Sequence, residues 1–143
     1  MIVTTCDEWN VPGASHLWRF HLHYFDYARD LAIYALHRDR AVAYAAFHEL
    51  ASSWIDAHQR LGGDAWHPYT ISLRVVNWCE AAIVFRAELV RDAAFAARLY
   101  ESIAAQADFL SRHLEHDVRG NHILENARAL VRASSFLDRK SVV

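Results

Sequence analysis

Apolar residues recur three and four positions apart along most of this chain. The pattern predicts helices at roughly residues 22–38, 41–60, 70–90, 92–116 and 122–137. Phe25, Leu31, Ala32, Ala35 and Leu36 make one face of the first, and Phe95, Leu99, Ile103, Ala107 and Leu110 one face of the fourth. The breaks are short. Arg38-Asp39-Arg40 parts the first two helices, Leu61-Gly62-Gly63-Asp64 closes the second, and Arg119-Gly120-Asn121 closes the fourth, with Gly120 or Asn121 suited to a left-handed helix end. Long helices with short links predict antiparallel neighbours and an all-α fold of helical hairpins, either a solenoid or part of an α/α toroid. No repeat of fixed period is visible, which counts against the solenoid.

The third helix has the most informative start, Trp66-His67-Pro68-Tyr69-Thr70-Ile71-Ser72-Leu73-Arg74-Val75-Val76-Asn77-Trp78. Proline is tolerated in a first turn because its missing N–H has no partner there, so the helix begins between Pro68 and Ser72. Arg74, Asn77 and Glu80 or Ala81 then form a polar stripe, set against the apolar Ile71, Val75, Trp78, Cys79, Ala82 and Ile83.

Composition supports helices and narrows the chemistry. Only four glycines and two prolines interrupt 143 residues, 54% hydrophobic and 22% charged, enough for one core and short for two domains. A formal charge of −2 leaves no basic footprint for nucleic acid, although ten histidines would make the chain positive in mild acid. Lys140 is the sole lysine; arginine, the better partner for planar carboxylates, supplies the other basic residues. Cys6 and Cys79 are too isolated for a disulfide framework, and Cys79 reads as a small buried residue. No leader opens the chain and no apolar run approaches the ~20 residues of a membrane span, so localisation is not encoded. Phosphate loops, nucleophile elbows and His-Glu-x-x-His pairs are absent, and no cofactor is expected.

Polar and aromatic residues concentrate in three segments. In Leu17–Tyr27, Trp18, His23 and Tyr24 suit either the start of a core helix or a sugar subsite, where flat rings cover pyranose faces and polar tips orient hydroxyls. In the second, Trp66 and Tyr69 are a groove wall or a plug at the helix start. Arg74 and Asn77 are there an interhelical hydrogen-bond network or the partners of a carboxylated sugar. The third runs from Arg119 to Ala127. Asn121 and His122 stand at a helix N-terminus, where free N–H groups favour an anion, though Asn121 alone is also an ordinary N-cap. His113 and His116 are three apart, a metal-ligand spacing, but lack a completing set and read as solvated helix-end histidines.

These three ordered segments together resemble the N-terminal toroid of the heparinase II/III-like polysaccharide lyases. The resembling text is Leu17–Tyr27, then Trp66-His67-Pro68-Tyr69 with Ser72–Trp78, then Gly120-Asn121-His122, covering most of residues 17–137. The resemblance implies an incomplete α/α toroid followed by a β-sandwich domain, cleavage of uronic-acid polysaccharides by β-elimination, and a periplasmic or secreted setting. It puts Asn121, helped by His122, at neutralising the sugar carboxylate, and Trp18, His23, Tyr24, Trp66, His67, Tyr69, Arg74 and Asn77 along the substrate groove. A tyrosine of a later toroid helix and a histidine of the second domain complete the family's acid/base set. Neither has a counterpart here, since Tyr69 and Tyr100 precede Asn121.

The expectation is therefore an irregular segment over 1–16, a partial toroid over 17–137, and a tail over 138–143 that breaks the apolar pattern and reads as non-native sequence. Such a fragment needs the missing helices and sandwich domain as partners and is inactive alone. Two alternatives stand beside it. One is a non-catalytic helical module binding glycan or protein; the other is a toroidal glycoside hydrolase, for which Asp64, Glu80 and Glu125 lack evident carboxylate partners.

Overall fold

The computed structural model describes residues 9–116 and 120–140. All regular elements among them are helical: α1 (His16–Tyr24), α2 (Asp26–His37), α3 (Arg40–Ala57), a 3-10 turn (Asp64–Trp66), α4 (Pro68–Val84), α5 (Arg86–Arg91), α6 (Ala93–Arg112) and α7 (His122–Lys140). The all-α class is as expected. The expectations for Cys6, for Arg119 and for residues 141–143 lie outside the described residues.

α4 is the centre of the fold. It packs against α1, α2, α6 and α7, while α3 lies against α2 and α6. Between Thr70 and Ala82 only Leu73 and Glu80 escape full burial. The expected division into a polar and an apolar face fails here, because four packed helices leave α4 only a narrow solvent side, which falls on Leu73, Glu80 and Ile83. Arg74 and Asn77 are inside with the rest, and Ile83, expected on the apolar face, is exposed. Pro68 opens α4 at its first position, and the His67 ring caps it by accepting the Tyr69 N–H at 3.3 Å.

Small residues set the spacing around this centre. Ala28, Ala32 and Ala35 line the buried face of α2, and Ala43, Phe47, Ala51 and Trp54 that of α3. Leu36 departs from its expected stripe and faces solvent. In α6 the expected stripe holds, with Phe95, Leu99, Ile103 and Leu110 buried. Asn126, Ala129, Ala133 and Phe136 recur at helical spacing on the inner side of α7, which continues through Asp138 and Arg139 to Lys140.

Two expected helices are each broken in two. The 70–90 helix stops at Phe85, a fully buried residue stacked on Phe47 at 5.6 Å. The break at Phe25 has larger consequences. Its φ of 59° and ψ of 36° are left-handed, an arrangement that costs a non-glycine residue roughly 1–2 kcal/mol. Complete burial of the ring, 5.6 Å from Trp9 and edge-on to Trp78 at 5.1 Å, offsets that cost. The turn also leaves the last carbonyls of α1 without helical partners. Side chains replace them: Tyr27 Oη donates to Leu22 O, Arg74 Nη1 to His23 O and Asn77 Nδ2 to Tyr24 O, each at 3.0 Å.

Candidate functional site

The sequence-predicted residues separate into an inner group and an outer group. Arg74 defines the inner one. Its guanidinium is wholly enclosed and donates to Gln106 Oε1 at 2.7 Å, to His23 O at 3.0 Å and to Ala65 O at 2.8 Å, with its plane 4.0 Å from the Trp54 ring centre. Burial pushes its pKa down to about 9, still cationic at neutrality. Asn77 donates to Tyr24 O and, at 3.1 Å, to Asp26 Oδ1. The expectation that Arg74 and Asn77 orient an acidic sugar is thereby corrected. The oxygens they serve belong to the broken end of α1 and its neighbours.

His23 and Trp66 are corrected with them. His23 is buried, accepts Trp54 Nε1–H on its Nδ1 at 3.2 Å and lies 5.3 Å from the His58 ring. Burial first, and then the charges of Arg74 and His58, lower its pKa from 6.5 to about 3, so the ring is neutral. Trp66 is packed between Trp54 and Phe109 and is buried, so it belongs to the core, and the edge it does show lines a cleft away from Tyr69 and His122. Trp18 is half exposed on α1, and no ring contact joins it to the other predicted residues among those described.

The outer group gathers where α4 and α7 begin. Tyr69 meets Tyr24 edge-on at 5.9 Å and stacks on His122 at 4.2 Å with the planes 19° apart. Burial, then Tyr69 and Asp26, raise the Tyr24 pKa. Glu115, which sequence patterning did not single out, ties the group together. Its side chain is 8% exposed; Oε1 lies 3.0 Å from His122 Nδ1 and 3.8 Å from His67 Nε2. Its Oε2 accepts from Asn126 Nδ2 at 3.2 Å, and its backbone N–H donates to Asn126 Oδ1 at 3.0 Å. Asn126 Nδ2 also donates to Ser72 Oγ at 2.8 Å, linking α7 to α4.

Asn121 is exposed at the head of α7, where its carbonyl accepts the Glu125 N–H at 2.9 Å. Its side chain takes no partner among the described residues. His122 is one-third exposed. Chemically, the group combines a neutral donor, an imidazole held by a shielded carboxylate, and two phenols. No trio of metal-ligating residues forms among the described residues. His113 is instead held by its own helix, Nδ1 at 2.7 Å from Phe109 O.

A cleft of about 310 Å³ opens elsewhere, lined by Trp54, His58, Trp66, Arg98 and Glu101 among others. It takes in none of Tyr69, Glu115, Asn121 or His122. No signal in the sequence relates Glu115 to His122, because they stand on either side of the link between α6 and α7 and no helical spacing joins them. No helix among the described residues is long and apolar enough to cross a membrane. Compared with family models, curated proteins and solved structures, the chain gives no significant match in any of the three.

Proposed function

We propose that this chain is the groove-bearing portion of an α/α-toroid lyase that cleaves uronic-acid polysaccharide by β-elimination. The observation that carries the reading is the exposed Asn121 side chain, without a partner among the described residues, followed by a His122 ring clamped between Tyr69 and Glu115. In such a reaction the C5 proton leaves, a C4=C5 double bond forms, the C4–O bond breaks, and the departing oxygen takes up a proton. The C5 proton becomes abstractable only when the adjacent carboxylate is neutralised by hydrogen-bond donors. In this reading Asn121 supplies one and His122 adjoins it, with Tyr24, His67 and Tyr69 as the neighbouring groove surface. Further toroid helices and a β-sandwich domain supply the rest of the acid/base set, and the setting is periplasmic or secreted.

The test is calorimetric titration of the 143-residue chain with acidic oligouronates and with neutral oligosaccharides of equal length. Saturable binding of the acidic set alone is expected, weakened about tenfold by Asn121→Ala, the equivalent of one charge-assisted hydrogen bond. Absence of any saturable oligouronate binding sinks the reading. Mixed with polymer, the chain is expected to release no unsaturated uronic ends by ultraviolet absorbance; sustained release refutes the assignment of the acid/base set to other segments. The second reading, a non-catalytic module binding glycan or protein, draws support from the inward turn of Arg74 and Asn77. It predicts glycan affinity indifferent to Asn121→Ala.

A further inference from the structure

We propose that Glu115 is a positioning residue that holds His122 in its Nδ1–H form, leaving Nε2 as the proton-accepting atom of the ring. The consequence for catalysis rests on the reading of Asn121 and His122 given above; the positioning itself does not.

An ionised carboxylate has no proton to give, so the ring nitrogen 3.0 Å from Glu115 Oε1 is the donor, and that nitrogen is His122 Nδ1. The carboxylate cannot turn to relax this demand. Its other oxygen accepts from Asn126 Nδ2, and Asn126 is itself fixed, fully buried, with Oδ1 taken by the Glu115 N–H and Nδ2 shared with Ser72 Oγ. The Ser72 hydroxyl in turn donates to Pro68 O at 2.8 Å. Every proton along Pro68, Ser72, Asn126, Glu115 and His122 therefore has one direction. Tyr69, stacked on His122, holds the plane of the ring.

His67 takes the opposite form beside the same oxygen. Its Nδ1 accepts the Tyr69 N–H, so its proton sits on Nε2, 3.8 Å from Glu115 Oε1. One histidine has both nitrogens turned to the protein. The other, His122, keeps Nε2 without a partner among the described residues. A neutral His122 so held accepts at Nε2 and cannot donate to a sugar carboxylate; only the imidazolium can. Asn121 is then the neutral donor, and help from His122 requires its protonation.

The experiment is a long-range proton–nitrogen correlation spectrum of the nitrogen-15-labelled chain, without ligand, at about pH 8.5, where imidazole is neutral. Histidine in water favours Nε2–H, so a His122 with a protonated Nδ1 and a bare Nε2 is the expected signature. In Glu115→Gln the new carbonyl must face Asn126 Nδ2, which aims the amide NH2 at His122 Nδ1. The ring is then expected to change to Nε2–H. A wild-type His122 in the Nε2–H form overturns the proposal, as does a folded Glu115→Gln protein that keeps Nδ1–H. Should that variant fail to fold, the wild-type assignment alone decides. No substrate enters the measurement, so its outcome is separate from whether oligouronates bind.

Discussion

Arg74→Ala is expected to destabilise the protein by about 3–5 kcal/mol, the combined cost of leaving several buried acceptors without their donor. Three acceptors lose their donor at once: Gln106 Oε1, His23 O and Ala65 O. Each buried orphan costs roughly 1–3 kcal/mol, and the stacking on Trp54 is lost as well. Arg74→Lys recovers little, since a single ammonium cannot serve three acceptors spread around a planar fork. Against a typical total of about 5–15 kcal/mol, either change brings the fold close to its threshold. Urea titration followed by circular dichroism measures the loss. Arg132→Ala, which removes a half-exposed pair with Glu80 at 3.4 Å, is the control and should change stability by under about 0.5 kcal/mol. Equal effects from the two variants would contradict the assignment of Arg74 to the core.

Acid should unfold this protein early, and His23 is the main reason. Its pKa is about 3 in the folded state against 6.5 for a solvated histidine, so between those values the unfolded chain binds a proton that the folded one refuses. The contribution of the neutral ring is complete above about pH 6.5 and falls steadily as pH drops toward 3. By pH 4 the loss is about 3 kcal/mol, at 1.36 kcal/mol for each unit below 6.5. His58, whose pKa is also lowered by burial, adds in the same direction. Unfolding free energy measured by urea at intervals from pH 7 to pH 4 tests this. His23→Gln keeps an acceptor for Trp54 Nε1–H and cannot titrate in that range, so its stability profile should be distinctly flatter. An unchanged slope in that variant would remove His23 as the cause.

Much of the helical framework was readable from spacing. The stripe of α6 and the proline start of α4 follow from local chemistry that the residues display; Gly120, expected to close the fourth helix, has a positive φ of 121°, but α6 already ends at Arg112 with His113 as its cap. The joint at Phe25 does not, because a bulky residue in a left-handed turn is set by its tertiary surroundings and leaves no glycine as a marker. The same limit explains Arg74 and Asn77. Their types and spacing announce a polar stripe, but whether a stripe meets a ligand or a neighbouring carbonyl depends on helices up to 53 residues away. Glu115 was invisible for a related reason. It lies just beyond the end of α6, although the apolar spacing carried the expected helix to 116, and it meets His122 from the other side of the link to α7.

The joint between α1 and α2 also bears on the order in which this protein can fold. Two of the three donors that cap the end of α1 come from α4, 51 and 53 residues further along the chain. Only Tyr27 is local. A nascent chain that has emerged through α2 therefore holds only the Tyr27 donor for Leu22 O, and the carbonyls of His23 and Tyr24 must be satisfied by water or a continuing helix. The bend becomes stable only after α4 is made and docked, when closing a loop of about 50 residues is repaid by buried hydrogen bonds. His23 and Tyr24 reach their final positions at that same late moment.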